Sequence, residues 1–296
     1  MKRILMTVVI ALVLLFLYAE EEYDAQAGAF LRLPVGARPA GLGDTFVAIA
    51  DDANAVFWNP GGMYQIEVIT VGGMYNIMSM DRHHYKGSII YPYSKVSTFA
   101  LMWNCFGVSN IDGRDENGNP TETFSDNEMS ITMGYCYKLP TDIGLGANFK
   151  YLMHTLQDNQ ATGIGFDIGI HKKISDFSLG SSISNLGANL KWDTNSCLEE
   201  EIPTTIRAGV AYIVRFGKIP VLLSAEISKN AEESVVIHCG SEVTLLKLLQ
   251  LRAGLNKEDI NFGLSVKVSN ISVDYAIVSD FLDDGVTSKI GLQIGF

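Results

Sequence analysis

From about Ile66 to the last residue, apolar side chains recur at every second position. At the end of the chain Ile290, Leu292, Ile294 and Phe296 alternate with Lys289, Gly291, Gln293 and Gly295. A strand sends successive side chains to opposite faces, so this segment reads as a strand with one apolar and one polar face. Ile143, Leu145, Ala147, Phe149 and Tyr151 alternate in the same way with Gly144, Gly146, Asn148 and Lys150. Ile164, Phe166, Ile168 and Ile170 alternate with Gly165, Asp167, Gly169 and His171. About fourteen such runs can be traced, at 66–77, 84–94, 96–106, 127–139, 142–154, 161–174, 176–185, 203–216, 219–229, 234–246, 249–256, 259–268, 270–279 and 288–296. The second, third and tenth of them alternate poorly.

Runs of this length suit tilted membrane-spanning strands, which need ~9–11 residues. The connections fit the same reading. In an even-stranded barrel both termini lie on one side, so the longer connections should follow odd strands. The two long ones, Gly107–Asp126 and Leu186–Ile202, follow the third and seventh runs. Those after even runs are short, such as Pro140-Thr141, Ser175, Gly217-Lys218 and Ser269. In a soluble β-sandwich glycine would gather at turns. Here Gly144, Gly146, Gly165, Gly169, Gly263 and Gly291 sit inside strands on the polar face. Glycine weakens a strand and needs a reason there, such as close approach of another segment. Aromatic residues at run ends, among them Tyr91, Tyr93, Tyr135, Tyr137, Tyr151, Tyr212, Phe216 and Phe281, suit interfacial girdles. The fold expected is all-β: a transmembrane antiparallel β-barrel of about 14 strands with an N-terminal hatch or plug.

Composition removes other classes. The chain has 296 residues and a formal charge of −11, with 22 Lys+Arg against 33 Asp+Glu, which argues against nucleic-acid binding. The one long apolar run, Ile4–Tyr18, is too short for a spanning helix, which needs ~20 residues. Lys2 and Arg3 precede it, and Ala19 follows before three glutamates, the order of a secretory signal peptide over residues 1–19. Ala25-Gln26-Ala27 offers a later cleavage site. Cys105, Cys136, Cys197 and Cys239 form no C-x-x-C pair, have no histidine in ligand spacing, and are expected to stay mostly unpaired.

Between signal and first strand, residues 28–64 are rich in small residues, alternate poorly and end at the turn Asn59-Pro60-Gly61. The pattern predicts a short helix near Asp44–Asp51. The segment is too apolar to dangle in solvent, so it is expected to plug or line the barrel of residues 65–296. Its central run is Gly36-Ala-Arg38-Pro-Ala-Gly41-Leu-Gly43, then Ala50-Asp51-Asp52-Ala-Asn54-Ala-Val-Phe57-Trp58-Asn59-Pro60. This run resembles the N-terminal motif of the PorV/PorQ family, a branch of the FadL-like outer-membrane barrels. The resemblance implies fourteen strands, an N-terminal hatch and a place in the outer membrane of a Gram-negative-type bacterium. The chain departs from the family at Gly61-Gly62 and Pro39, and is shorter than a typical PorV. C-terminal Phe296 resembles the signal by which the barrel-assembly machinery recognises such chains.

Arg38, Asp51, Asp52 and Asn59 would be costly in a lumen unless paired or hydrated. Parity places Lys150, Asp167, Arg207, Glu226, Arg252, Lys267, Asp274 and Lys289 on the lumen face. Asp51 and Asp52 are therefore expected to pair with lumen bases and hold the hatch shut.

Enzymatic chemistry finds no foothold in the sequence. The histidines lack a ligand spacing, G-x-S-x-G does not occur, and the glycine pairs have no following helix. The acidic loop Asp112–Asn119 breaks the EF-hand pattern at Pro120. No cofactor or metal is expected. Two functions stay open. The resemblance to PorV implies type IX protein secretion, with secretion-system proteins or exported cargo as partners beside outer-membrane lipid. The resemblance to FadL implies a channel for long-chain fatty acids or other hydrophobic small molecules. The hatch motif favours the first.

Overall fold

The computed structural model describes residues 27–195, 197–231, 234–257, 259–280 and 285–296. The expected export signal and Phe281 lie outside the described residues.

Among the described residues are sixteen strands: β1 Thr70–Ile77, β2 Arg82–Pro92, β3 Ser97–Ile111, β4 Phe124–Lys138, β5 Ile143–Leu156, β6 Asn159–Ile174, β7 Phe177–Leu186, β8 Asn189–Trp192, β9 Glu199–Glu201, β10 Thr205–Phe216, β11 Ile219–Asn230, β12 Val236–Leu245, β13 Leu249–Asn256, β14 Asp259–Val268, β15 Ile271–Asp280 and β16 Gly285–Gly295. Fourteen close into an antiparallel barrel, each paired with its neighbour in sequence save that β7 joins β10 across the β8–β9 hairpin. Strand β1 meets β16 from Thr70↔Gly295 to Ile77↔Ser288 and completes the ring. Closure pairs the edges of the ring, which hydrocarbon demands because it offers no hydrogen-bond partner.

The two faces divide as the alternation requires. On β6, Ile168 is 47% exposed on the outside, while its neighbour Asp167 is 1% exposed on the inside. Tyr91, Tyr93, Phe99 and Tyr135 cluster on the outer surface near the short-turn end. That end also carries Phe296, whose amide donates to Ile69 O at 2.8 Å.

One element escapes the alternation. The connection after β7 contains the β8–β9 hairpin, which pairs Ala161 and Thr162 of β6 with Trp192 and Lys191. Strand β6 outruns β7 after a register shift between Phe166 and Ile168, so its free edge is capped by the hairpin.

The segment before β1 fills the barrel. Its helical turns are Ala37–Gly41 and Ala55–Trp58, with 3₁₀ turns at Ala29–Arg32 and Pro60–Gln65. The helix expected near Asp44–Asp51 is absent. Asp44 (φ 65°) and Ala50 (φ 36°) are left-handed. The Phe46 and Val47 amides donate to Glu226 of β11 instead of along the chain. Four apolar clusters seat the segment, one of them Ala37 and Ala40 against Ala276 of β15. Ala50, Val56 and Met63 pack on Ile90, Ala100, Met102 and Cys136. Leu42, Phe46, Val47 and Trp58 gather around Ala211. Phe30 and Leu31 lie against Leu152, Leu190 and Ile202, so the start of the segment sits beneath the hairpin at the long-loop end. All four cysteines are free thiols.

Candidate functional site

The seam between hatch and lumen holds the chain's buried charge. Arg38 stands in the first helical turn, after Gly36, whose φ of 96° suits glycine. Its guanidinium reaches both ways. Nε and Nη2 donate to the two oxygens of Glu242 on β12 at 3.0 and 3.2 Å. Nη1 donates to Asp51 at 2.5 Å and to Asp52 at 3.1 Å. A planar fork can serve carboxylates on two sides, which an ammonium cannot do as well. Glu242 is held from behind by Arg252 at 2.6 Å, and Arg252 continues to Ser265 and Asp274 at 2.5 and 3.2 Å. Asp52 also accepts from the Asn54 amide at 2.8 Å.

The pairing of Asp51 and Asp52 thus differs from the expectation. Their base is Arg38 of the hatch itself, and the barrel's contribution is an acid, Glu242. Position 242 sits in a run that alternates poorly, with Cys239 and Ser241 on its lipid-facing parity. Its shared parity with His238 and Gly240 is the signal that could have found it. Of the expected lumen charges, seven are engaged deep inside. Lys150 pairs with Asp167 at 2.8 Å. Arg207 pairs with Glu226 at 3.0 Å and lies 4.8 Å from the Trp58 ring centroid. Arg252 and Asp274 belong to the Arg38 chain, and Lys289 donates to Pro34 O at 2.6 Å. Lys267 is exposed and lines, with Arg38, Asp51 and Asp52, a cavity of about 460 Å³ at the short-turn end.

Other ties run through neutral groups. Asn59 donates to Val47 O at 2.8 Å and Ile170 O at 3.0 Å, and accepts from the Gly61 amide. Pro60 opens the 3₁₀ turn, where its missing N–H costs nothing. Lys86, absent from the expected set because the second run alternates poorly, donates to Ala53 O and Asn54 Oδ1 at 3.0 Å each. The interior glycines find their reason here: a methyl on Gly146 would meet the Pro60 and Gly61 backbone, and one on Gly263 would meet Gly41. Gly43, with φ 65°, lies against Leu255 in the same way.

Asp44 is less tightly paired than these groups. Asn256 donates to one oxygen at 2.7 Å, and the other has no partner among the described residues. Burial pushes its carboxyl up to about 6, against the pull of Lys289 and Arg207.

A hatch with this motif, seated in a fourteen-stranded barrel, matches a known family. The family described as "Type IX secretion system protein PorV" matches residues 19–231. The chain belongs to the PorV family. No curated protein matches the sequence. Among solved structures, this PorV chain is similar to the toluene transporter TodX of P. putida, with TM-score 0.64 and 12% identity over 88% of this chain and 98% of that one. It is also similar to the Ralstonia pickettii toluene transporter TbuX, with TM-score 0.58 and 11% identity over 88% and 98%. A Pseudomonas aeruginosa FadL homologue gives TM-score 0.59 and 11% identity over 89% and 99%. These likenesses establish a FadL-like fold for this PorV barrel.

Proposed function

We propose that this barrel is a non-enzymatic component of protein secretion or surface attachment in the outer membrane, working with its hatch shut. Residues 1–19 act as export signal, 28–64 as hatch and 65–296 as barrel. The carrying observation is the PorV family match over residues 19–231, joined to a hatch tied to the wall by buried charge. Polar lining on both sides of the hatch supports the reading. Arg38, Asp51, Asp52 and Lys267 face one cavity, and Arg32, Asp44, Lys150 and Arg207 the other. Apolar solutes gain little from such walls, and a desolvated charge on their path is costly. The partners are outer-membrane lipid, the barrel-assembly machinery acting through Phe296, and secretion-system proteins or exported cargo.

Deletion of the gene tests the proposal, read by cell-surface labelling of exported proteins that carry type IX C-terminal sorting domains. These proteins should accumulate inside the outer membrane, and the purified barrel should pull down secretion components. Normal surface display in the deletion strain overturns the reading. Uptake of labelled fatty acid or toluene into liposomes, above that of another barrel, would establish the hydrophobic-channel alternative.

A further inference from the structure

Beyond the seal, the lumen holds a second polar feature at the long-loop side of the hatch. A cavity of about 200 Å³ lies between hatch and wall, with Asp44 of the hatch and Asn230 of β11 among its lining residues. Asp44 is 3% exposed and Asn230 is 6% exposed. Within the protein, among the described residues, Asp44 Oδ1, Asn230 Oδ1 and Asn230 Nδ2 have no hydrogen-bond partner. Two acceptors and one donor are thus buried at the cavity with their bonds unmade by protein. Leaving a buried polar group unsatisfied costs about 1–3 kcal/mol, so such groups mark a place where something else supplies the bonds.

The charges around the cavity select what that can be. Two of its cations are engaged: Arg207 is paired with Glu226, and Lys150 is held by Asp167 and Asn185. An anionic solute would meet the Asp44 carboxylate in the same wall, which repels it. A cationic solute would meet Asp44 in the field of Lys289 and Arg207, which opposes it. What remains is a neutral solute that both donates and accepts. Leu31, Pro34 and Phe57 give the cavity an apolar share, suited to C–H groups. The volume equals that of about seven waters at ~30 Å³ each, enough for one small polyol.

We infer that this cavity is a binding site for a neutral, hydroxyl-rich small molecule of the pentitol or monosaccharide class, gripped by Asp44 and Asn230. A vicinal diol matches the set: one hydroxyl donates to the Asp44 carboxylate, and the next accepts from Asn230 Nδ2 while donating to Asn230 Oδ1 or a neighbour. The site is independent of whether the barrel serves secretion.

The full-length barrel in detergent micelles tests this with xylitol, read by saturation-transfer-difference NMR with concentration. Xylitol should give a saturable signal, while succinate and putrescine give none. Asn230→Leu should weaken binding at least tenfold. Asn230→Asp, close in shape and exchanging the donor for an acceptor, should weaken it several-fold and serves if the leucine variant does not fold. A xylitol signal equal in both variants and parent overturns the assignment. No saturable signal in the parent overturns it too, leaving the cavity to water alone. Saturable binding of succinate or putrescine in place of xylitol refutes the neutral class.

Discussion

Arg38→Ala probes the hatch most directly, because one guanidinium spans hatch and wall. The substitution removes two bonds to Glu242, one to Asp51 and one to Asp52. The losses are unequal. The Asp51 side chain is 38% exposed, so water and salt screen that pair to about 1 kcal/mol or less. Glu242 keeps Arg252 at 2.6 Å and is not stranded. Asp52, 12% exposed at its side chain, loses its only cation among the described pairs but keeps its bonds from Asn54 and Gln293. Removing one partner of a buried pair costs about 3–5 kcal/mol, and these compensations set the low end, about 3 kcal/mol. At 1.36 kcal/mol per tenfold, hatch opening becomes about a hundredfold more frequent. Hydrogen exchange reads such local opening. Amides of the hatch, Phe46 and Val47 above all, should exchange about a hundredfold faster while strands β5 and β6 keep their protection. The double variant Arg38→Ala/Glu242→Gln should cost less than the sum of its parts, since the two share a bond. Hatch exchange unchanged in Arg38→Ala would falsify the view that this arginine holds the hatch to the wall.

Three further outcomes are expected. Gly146→Val places a branched side chain against the Pro60 and Gly61 backbone, which cannot give way; overpacking of about 1–3 kcal/mol or more should displace the hatch and raise ion conductance in planar bilayers, whereas Gly73→Ala, on the outer face of β1 where a methyl meets no close neighbour, should leave conductance at the parental level. The Asp44 carboxyl is raised from 3.8 to about 6, so the folded protein holds this proton more tightly than the unfolded chain, and stability falls as pH rises from about 4 to 6; Asp44→Asn should raise the thermal unfolding midpoint at pH 8, relieving about 3 kcal/mol, and leave it unchanged at pH 3, and equal effects at both would refute the burial argument. Removal of Phe296, a residue 72% exposed at the short-turn end, should lower the yield of heat-modifiable folded barrel in the outer membrane without altering the refolded protein in detergent.

Much of this molecule follows from its sequence. Alternation alone sets fourteen strands, their facing and most of their ends, because lipid penalises a polar outer residue at every step, by about 2–4 kcal/mol for a mid-plane Lys or Arg. The run 249–256 and strand Leu249–Asn256 coincide. The inward charges Lys150, Asp167 and Lys289 were legible for the same reason. The weak points fall where the hatch supplies the environment. Ile90 and Met102 face inward yet are apolar, because Met63 and Val56 cover them. That breaks the alternation of β2 and β3 and hides Lys86 beside them. In β12 the lipid face carries Cys239 and Ser241, so Glu242 gave no contrast. The β8–β9 hairpin is too short to show a period at all.

By itself, then, the sequence determined a barrel, its polarity of turns and a small-residue segment that had to lie inside. Period two is a local property, imposed residue by residue by the solvent on each face. The tertiary structure alone decided which groups meet across the lumen. Arg38 and Glu242 stand 204 positions apart, and Asp44 and Asn256 stand 212 apart. No local pattern encodes such pairs, because they form only when a closed ring brings its far wall against the hatch, where a buried charge has to find a partner or remain, like Asp44, partly without one.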